Sequence, residues 1–149
     1  MDIKKIQDTL TEFTNNATGI QGVVLVYEDG ELITKPPIGD WDESKPNIIA
    51  GITHDFSQRI CKRLNWNNTK EIYVETEDGY IMLLVCAPSI FLLVKASTNT
   101  NRGLLKGEIA LILAKLQTYI NPNSSINNGE TITDNEDNDD DDDQGLFGR

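Results

Sequence analysis

The strongest constraint on this chain is a phrase that it writes twice. Val24-Leu25-Val26-Tyr27-Glu28-Asp29-Gly30-Glu31-Leu32-Ile33 returns in outline as Ile72-Tyr73-Val74-Glu75-Thr76-Glu77-Asp78-Gly79-Tyr80-Ile81-Met82-Leu83. In each copy β-branched and aromatic residues run into Asp-Gly, which tolerates positive φ, and a second apolar run follows. Each copy predicts a β-hairpin. A turn dipeptide between apolar strands is also the commonest way to build any hairpin, so the recurrence does not demand an internal duplication.

The flanking patterns supply the other elements. Ile3, Ile6, Leu10 and Phe13 recur at spacings of three and four behind Asp2, a capping residue, and predict a first amphipathic helix ending near Asn15 or Asn16. Gly22 to Glu28 and Glu31 to Lys35 make the first hairpin. Its Val23-Val24-Leu25-Val26 core is apolar on both alternating faces, which suits a strand in the middle of a sheet covered above and below. Lys35 to Pro46, with three prolines and alternating charges, reads as a loop. Asn47 to Trp66 predicts a second helix with Ile49, Ile52, Phe56, Ile60 and Leu64 on one stripe. Strands follow at Lys70 to Glu77, Tyr80 to Ala87 and Ile90 to Ser97. A third helix, from about Asn101 to Ile120, buries Leu105, Ile109, Ile112, Leu116 and Ile120, and Asn121-Pro122 stops it. The order α-β-β-α-β-β-β-α gives an α/β fold of α+β type, a five-stranded antiparallel sheet between helices.

Charge and composition exclude several function classes. The formal charge of -11 is concentrated at one end: residues 122–149 hold nine acidic groups against Arg149 alone, a net of -8, and leave -3 for residues 1–121. The basic clusters, Lys4-Lys5 and Arg59 to Arg63, are too short for a nucleic-acid face. Cys61 and Cys86 have no metal-ligand or redox spacing and read as core filling. The N-terminus MDIKKIQDTL has no apolar signal region, so a cytoplasmic location is expected and three Asn-x-Ser/Thr sequons are chance matches. Ile81 to Val94 is apolar but too short to span a bilayer, and Pro88 breaks it, so direct membrane insertion is not expected.

Taken in order, IQGVVLVYEDGELI, NIIAGITHDFSQRICKRLNW, EIYVETEDGYIMLLVCAPSIFLLVKAS and NRGLLKGEIALILAKLQTYI resemble the roadblock/dynein light chain family, bacterial type. The resemblance covers residues 1–121. It rests on the Gly-Val opening of the first strand, the Asp-Gly turns, EDGY before an aliphatic strand, and Asn101-Arg102-Gly103-Leu104-Leu105 before the last helix. It implies a roadblock/longin-like fold and a homodimer without enzymatic activity, paired through the second helix and third strand into one continuous sheet. Carried onto this chain, the seam takes Glu71 to Glu75 and the solvent side of Asn47 to Leu64, with Phe56, Arg59, Arg63, Ile72, Tyr73 and Val74 as candidate interface residues. Independently, Ile72 and Val74 share one face of a strand left at an edge, and an exposed edge must be paired or guarded. The alternative is a monomer guarded by Glu71, Glu75 and Glu77.

The resemblance also implies a client, a small Ras-like GTPase that the dimer regulates or scaffolds. The alternative is an adaptor, independent of any GTPase, that recruits a motor, pilus or signalling partner through the dimer groove or tail. Chemistry by the chain itself lacks parts. Gly103-Leu104-Leu105-Lys106-Gly107 has no Gly-Lys-Ser/Thr ending, and His54, beside Asp55, has no serine or cysteine at a recognisable spacing, so it reads as a surface residue near the seam. Arg59 and Arg63 could be imagined as arginine fingers, but salt bridges or a charge-matched partner explain them more cheaply. No cofactor or metal is expected.

After Pro122 comes NSSINNGETITDNEDNDDDDDQGLFGR, and residues 122–149 predict a disordered acidic tail. As a calcium loop it fails, since a frame beginning at Asp139 puts Gln144 where glycine is needed. Leu146 and Phe147 lie beyond the acids, where a solubilising tail needs no apolar residue, and they form a candidate partner-binding tip. Burying both is worth roughly 3 to 6 kcal/mol gross. That is weak for one tail and useful for two working by avidity.

Overall fold

The computed structural model describes residues 1–42 and 44–121. The expected tail, with Leu146 and Phe147, lies outside the described residues. Eight elements follow one another: α1 (Ile3–Asn16), β1 (Ile20–Tyr27), β2 (Ile38–Gly39), α2 (Pro46–Leu64), β3 (Glu71–Glu75), β4 (Tyr80–Ala87), β5 (Ile90–Ala96) and α3 (Arg102–Ile120). The five strands form one antiparallel sheet in the order β2-β1-β5-β4-β3.

Each face of the sheet carries its own core. Val23 and Leu25 of β1, Met82 and Leu84 of β4, and Leu92 and Val94 of β5 pack against Ile6, Leu10 and Phe13 of α1 and Leu105, Ile109 and Leu116 of α3. Val24, Val26, Leu83, Phe91 and Leu93 point the other way, toward Trp41 and Ala50. The double-sided apolar run of β1 thus lies between β2 and β5, with every side chain from Val23 to Val26 buried. Helix starts obey local chemistry. The Asp2 carboxylate accepts from the Lys5 N–H at 3.1 Å, and the Asn101 side chain accepts from the Leu104 N–H at 3.0 Å, each satisfying a donor that the first turn leaves unpaired.

One expected strand is displaced. Glu31 to Lys35 does not form a strand. After the turn, where Gly30 has φ +94°, only Leu32 bridges back to Val26. The Leu25 N–H bonds the Thr34 hydroxyl at 3.0 Å in place of a ladder carbonyl, and Pro36 and Pro37 have no N–H to offer. Pairing resumes at Ile38–Gly39, inside the segment expected to be a loop, against Val23 and Gly22. Gly39 sits there at φ +96°, and a Cβ would come within 2.4 Å of the Gln21 carbonyl oxygen, so only glycine lets the two backbones approach.

Candidate interaction surface

Helix α2 lies on the sheet with its polarity reversed. The residues it buries are Pro46, Ala50 and Ser57, with Thr53, His54 and Cys61 half-buried beside them. The residues it exposes include Ile48, Ile52, Phe56, Ile60 and Leu64, each four after the last and so one continuous stripe. Ile52 keeps 66% of its surface in water and Phe56 64%. An ordinary surface helix turns its apolar side to the core. Here small and polar residues meet the sheet, and the large aliphatic and aromatic ones face outward in a row of five, too many to be scattered surface apolars.

The helix packs across β1, β4 and the edge strand β3, and the free side of β3 is identified by its hydrogen bonds. The Val85 N–H donates to the Lys70 carbonyl at 3.0 Å, and the Thr76 N–H donates to the Gly79 carbonyl at 2.8 Å. Bonding positions alternate in an antiparallel ladder. Lys70, Ile72, Val74 and Thr76 therefore turn their backbone groups toward β4, and Glu71, Tyr73 and Glu75 present theirs to the open edge. The side chains of this outward set point to the α3 side. Glu75 pairs with Arg102 at 2.6 Å, Glu71 with Lys106 at 3.7 Å, and the Arg102 guanidinium lies 5.1 Å from the centre of the Tyr73 ring. Hydrogen bonding to Tyr73, then the charge of Glu75, hold the Arg102 pKa above its ordinary value. By distance, however, the buried Tyr73 hydroxyl has no hydrogen-bond partner among the described residues, so the ring face and Glu75 are the firmer contacts.

The six candidate interface residues divide accordingly. Phe56 is exposed at the middle of the apolar stripe. Arg59 and Arg63 are exposed on α2, Arg59 held 3.0 Å from Asp55 one turn back. Ile72 is half-buried under the α2 side of the sheet, Tyr73 is half-buried on the α3 side against the Tyr80 ring at 5.1 Å, and Val74 remains 45% exposed. The six residues thus lie on two features, the outward face of α2 and the strand β3. Ile48 was missing from the expected stripe, where Ile49 stood instead. Strict spacing by fours from Leu64 back to Ile48 was the signal, and Ile49 is half-buried toward the sheet.

His54 is not a surface residue. Its ring lies 4.7 Å from that of Phe91, half-buried on the sheet side of α2. Nearby, the Thr69 hydroxyl donates to that of Ser57 at 2.9 Å, tying the chain after α2 back to the helix. Cys86 is core filling, and burial pushes its thiol up to about 12. Among the described residues no three His, Cys, Asp or Glu gather to hold a metal ion, and no helix is long and apolar enough to cross a membrane.

Comparison with known proteins gives the family and the fold. The Roadblock/LC7 domain model matches residues 6–96. No curated protein sequence matches the chain significantly. Among solved structures, Myxococcus xanthus MglB superposes with a TM-score of 0.71 at 18% identity, over 81% of this chain and 91% of that one. A Roadblock/LC7 domain from Streptomyces avermitilis gives 0.65 at 15% identity, over 76% and 96%. An MglB with a tetrameric arrangement gives 0.66 at 12% identity, over 77% and 87%. At these identities the structural likeness speaks for the fold.

Proposed function

The chain belongs to the roadblock/LC7 family, and from that premise we propose that it works in the cytoplasm as a non-enzymatic homodimer that binds a small Ras-like GTPase and regulates or scaffolds it. Residues 1–121 form the working domain and residues 122–149 an acidic appendage. The observation that carries the reading is the reversed polarity of α2, whose exposed stripe adjoins a free strand edge. Two copies related by a two-fold axis bury both features at once, stripe on stripe and edge on edge.

Electrostatics favour pairing over the guarded monomer. If the axis passes Tyr73, Glu71 of one copy meets Glu75 of the other. Bare, such carboxylates would repel and blunt the edge. Both are tied to cations on α3, Arg102 and Lys106, so the edge is close to neutral where a partner strand would lie. The tetrameric arrangement of one MglB supports self-association by relatives of this fold. The GTPase comes from the family resemblance, and a dimer would offer it a composite surface that a monomer lacks.

The test is to immobilise the full-length protein and its Phe56→Asp variant and measure retention of small GTPases loaded with a GTP analogue or with GDP. Retention in one nucleotide state, lost with the dimer, is the expected result. Retained partners indifferent to nucleotide would overturn the GTPase reading in favour of an adaptor for a motor, pilus or signalling protein.

A further inference from the structure

Helix α3 has an outer face that nothing among the described residues covers. Leu105, Ile109 and Leu116 are buried against the sheet, while Leu104, Gly107, Leu111, Ala114 and Thr118 lie exposed on the opposite side. Leu111 keeps 74% of its surface in water, the highest value of any large apolar side chain among the described residues, and Leu104 keeps 64%. One turn before Leu111, Gly107 stands well inside the helix at no positive φ, and a Cβ built there would meet nothing within 4 Å. Glycine weakens a helix relative to alanine, and nothing around Gly107 in the described residues requires it. What a glycine allows at such a place is the close approach of another backbone.

The two flanks of this face are laid out symmetrically about Leu111. On the flank toward α1 stand Glu108 and Lys115, and on the other Gly107 and Ala114. Within one helix Glu108 and Lys115 are about 10.5 Å apart along the axis, too far to pair. Neither forms an ion pair with any other described residue. When two identical helices lie antiparallel about a two-fold axis, each flank meets the same flank of its copy, run backwards. With the axis at Leu111, Glu108 of each copy faces Lys115 of the other, Gly107 faces Ala114, and the two leucines meet at the centre. Acid then meets base, and small meets small. A foreign partner would need no such palindrome. Beside Leu111, moreover, α1 and α3 leave a groove of ≈ 300 Å³, lined by Phe13 and Ala17 on one side and by Ile112, Glu108 and Lys115 on the other. It gives the leucine of a second copy apolar surface to enter.

We propose that two copies of this chain associate through α3, antiparallel about a two-fold axis at Leu111. The contact lies on the α1 and α3 side of the sheet, opposite α2, and shares no residue with the seam at α2 and β3. Association through both surfaces builds species larger than a dimer. Association through α3 alone persists when the α2 surface is disabled, so the inference does not rest on the α2 seam or on a GTPase partner.

The experiment is sedimentation equilibrium of the full-length chain carrying Phe56→Asp, in which the self-association that remains reports α3. Adding Leu111→Asp should weaken that association about a hundredfold or more, because the leucine is counted once in each copy. Its exposure in the single chain means that the fold does not depend on it. Adding Glu108→Lys instead should weaken association about 3- to 30-fold, through two pairs per contact. Glu108→Lys together with Lys115→Glu should restore it, since the exchanged charges face their copies as the native ones do. That rescue is the signature of an antiparallel, two-fold contact. A Phe56→Asp chain that is monomeric at every accessible concentration would overturn the proposal, as would association indifferent to Leu111→Asp or a double exchange that restores nothing. The α2 seam is judged separately, by whether Phe56→Asp weakens the association of the native chain, so the two readings fail apart.

Discussion

The guanidinium of Arg102 lies over the ring of Tyr73, 5.1 Å from its centre, with one nitrogen 2.6 Å from Glu75. One side chain from the first turn of α3 thus fixes both an aromatic ring and a carboxylate of the edge strand. All three are surface or half-buried groups, so the stabilisation is modest. A cation over an exposed ring contributes about 0.5–1 kcal/mol, and a solvent-screened ion pair about 0–1. Arg102→Ala should lower stability by about 1 kcal/mol, seen as a lower urea midpoint with unchanged slope. Arg102→Lys, which keeps the charge and loses the flat stacking surface, should fall between the two.

Phe56→Asp addresses the helix face. Phe56 touches little in the monomer, so the folded chain should melt within about 0.5 kcal/mol of the native one. In the dimer the residue is counted twice, once per copy, at about 1.5–3 kcal/mol each. Loss of roughly 3 to 6 kcal/mol weakens association by about a hundredfold or more. Sedimentation equilibrium reads this directly. A native chain that sediments as a monomer at every accessible concentration would sink the dimer.

The strand edge gives a residue-level readout. Because Glu71, Tyr73 and Glu75 aim their N–H groups away from β4, those amides should exchange rapidly in a monomer while Ile72 and Val74 stay protected by the ladder. Pairing with a second copy should protect the outward set as well. Hydrogen exchange is expected to show Tyr73 and Glu75 protected in the native protein and unprotected in Phe56→Asp, with Ile72 and Val74 unchanged. Equal exchange at Tyr73 in both proteins would place the seam elsewhere.

Much of this was legible in the residues, because apolar periodicity and turn chemistry are local. Tyr80–Ala87 is the continuous apolar run that Asp78-Gly79 and Pro88 delimit, and Leu105, Ile109 and Leu116 are buried as their spacing requires. The first hairpin's return strand was not legible, because Thr34 replaces a ladder carbonyl with a hydroxyl and pairing resumes beyond two prolines, on a glycine at positive φ. Nor does periodicity tell which way a stripe faces. Ile52 and Phe56 have the same spacing as a core stripe, and they face outward because the opposite side, with Ala50 and Ser57, is small enough to lie close on the sheet. His54 misled for a related reason: ring contact with Phe91 comes from a strand 37 positions away and leaves no local trace.

Cys86 offers a prediction tied to pH. Burial on β4 raises its thiol from an ordinary 9.0 to about 12. The folded chain keeps the neutral thiol where the unfolded chain would ionise. Its stabilising contribution is therefore full below about pH 9 and is lost as pH rises through the folded value near 12. Across that window stability should fall by up to about 1.4 kcal/mol per pH unit. Tyr80, whose pKa burial also raises from 10.0, adds a second limb that starts higher. Cys86→Ala should be less stable at neutral pH, through the cavity it leaves, yet lose less stability between pH 9 and 10, where Cys86 alone of the two begins to titrate. Urea titrations of both chains across that interval measure the difference. Parallel curves would mean that the thiol meets enough water in the fold to ionise as it does in the unfolded chain.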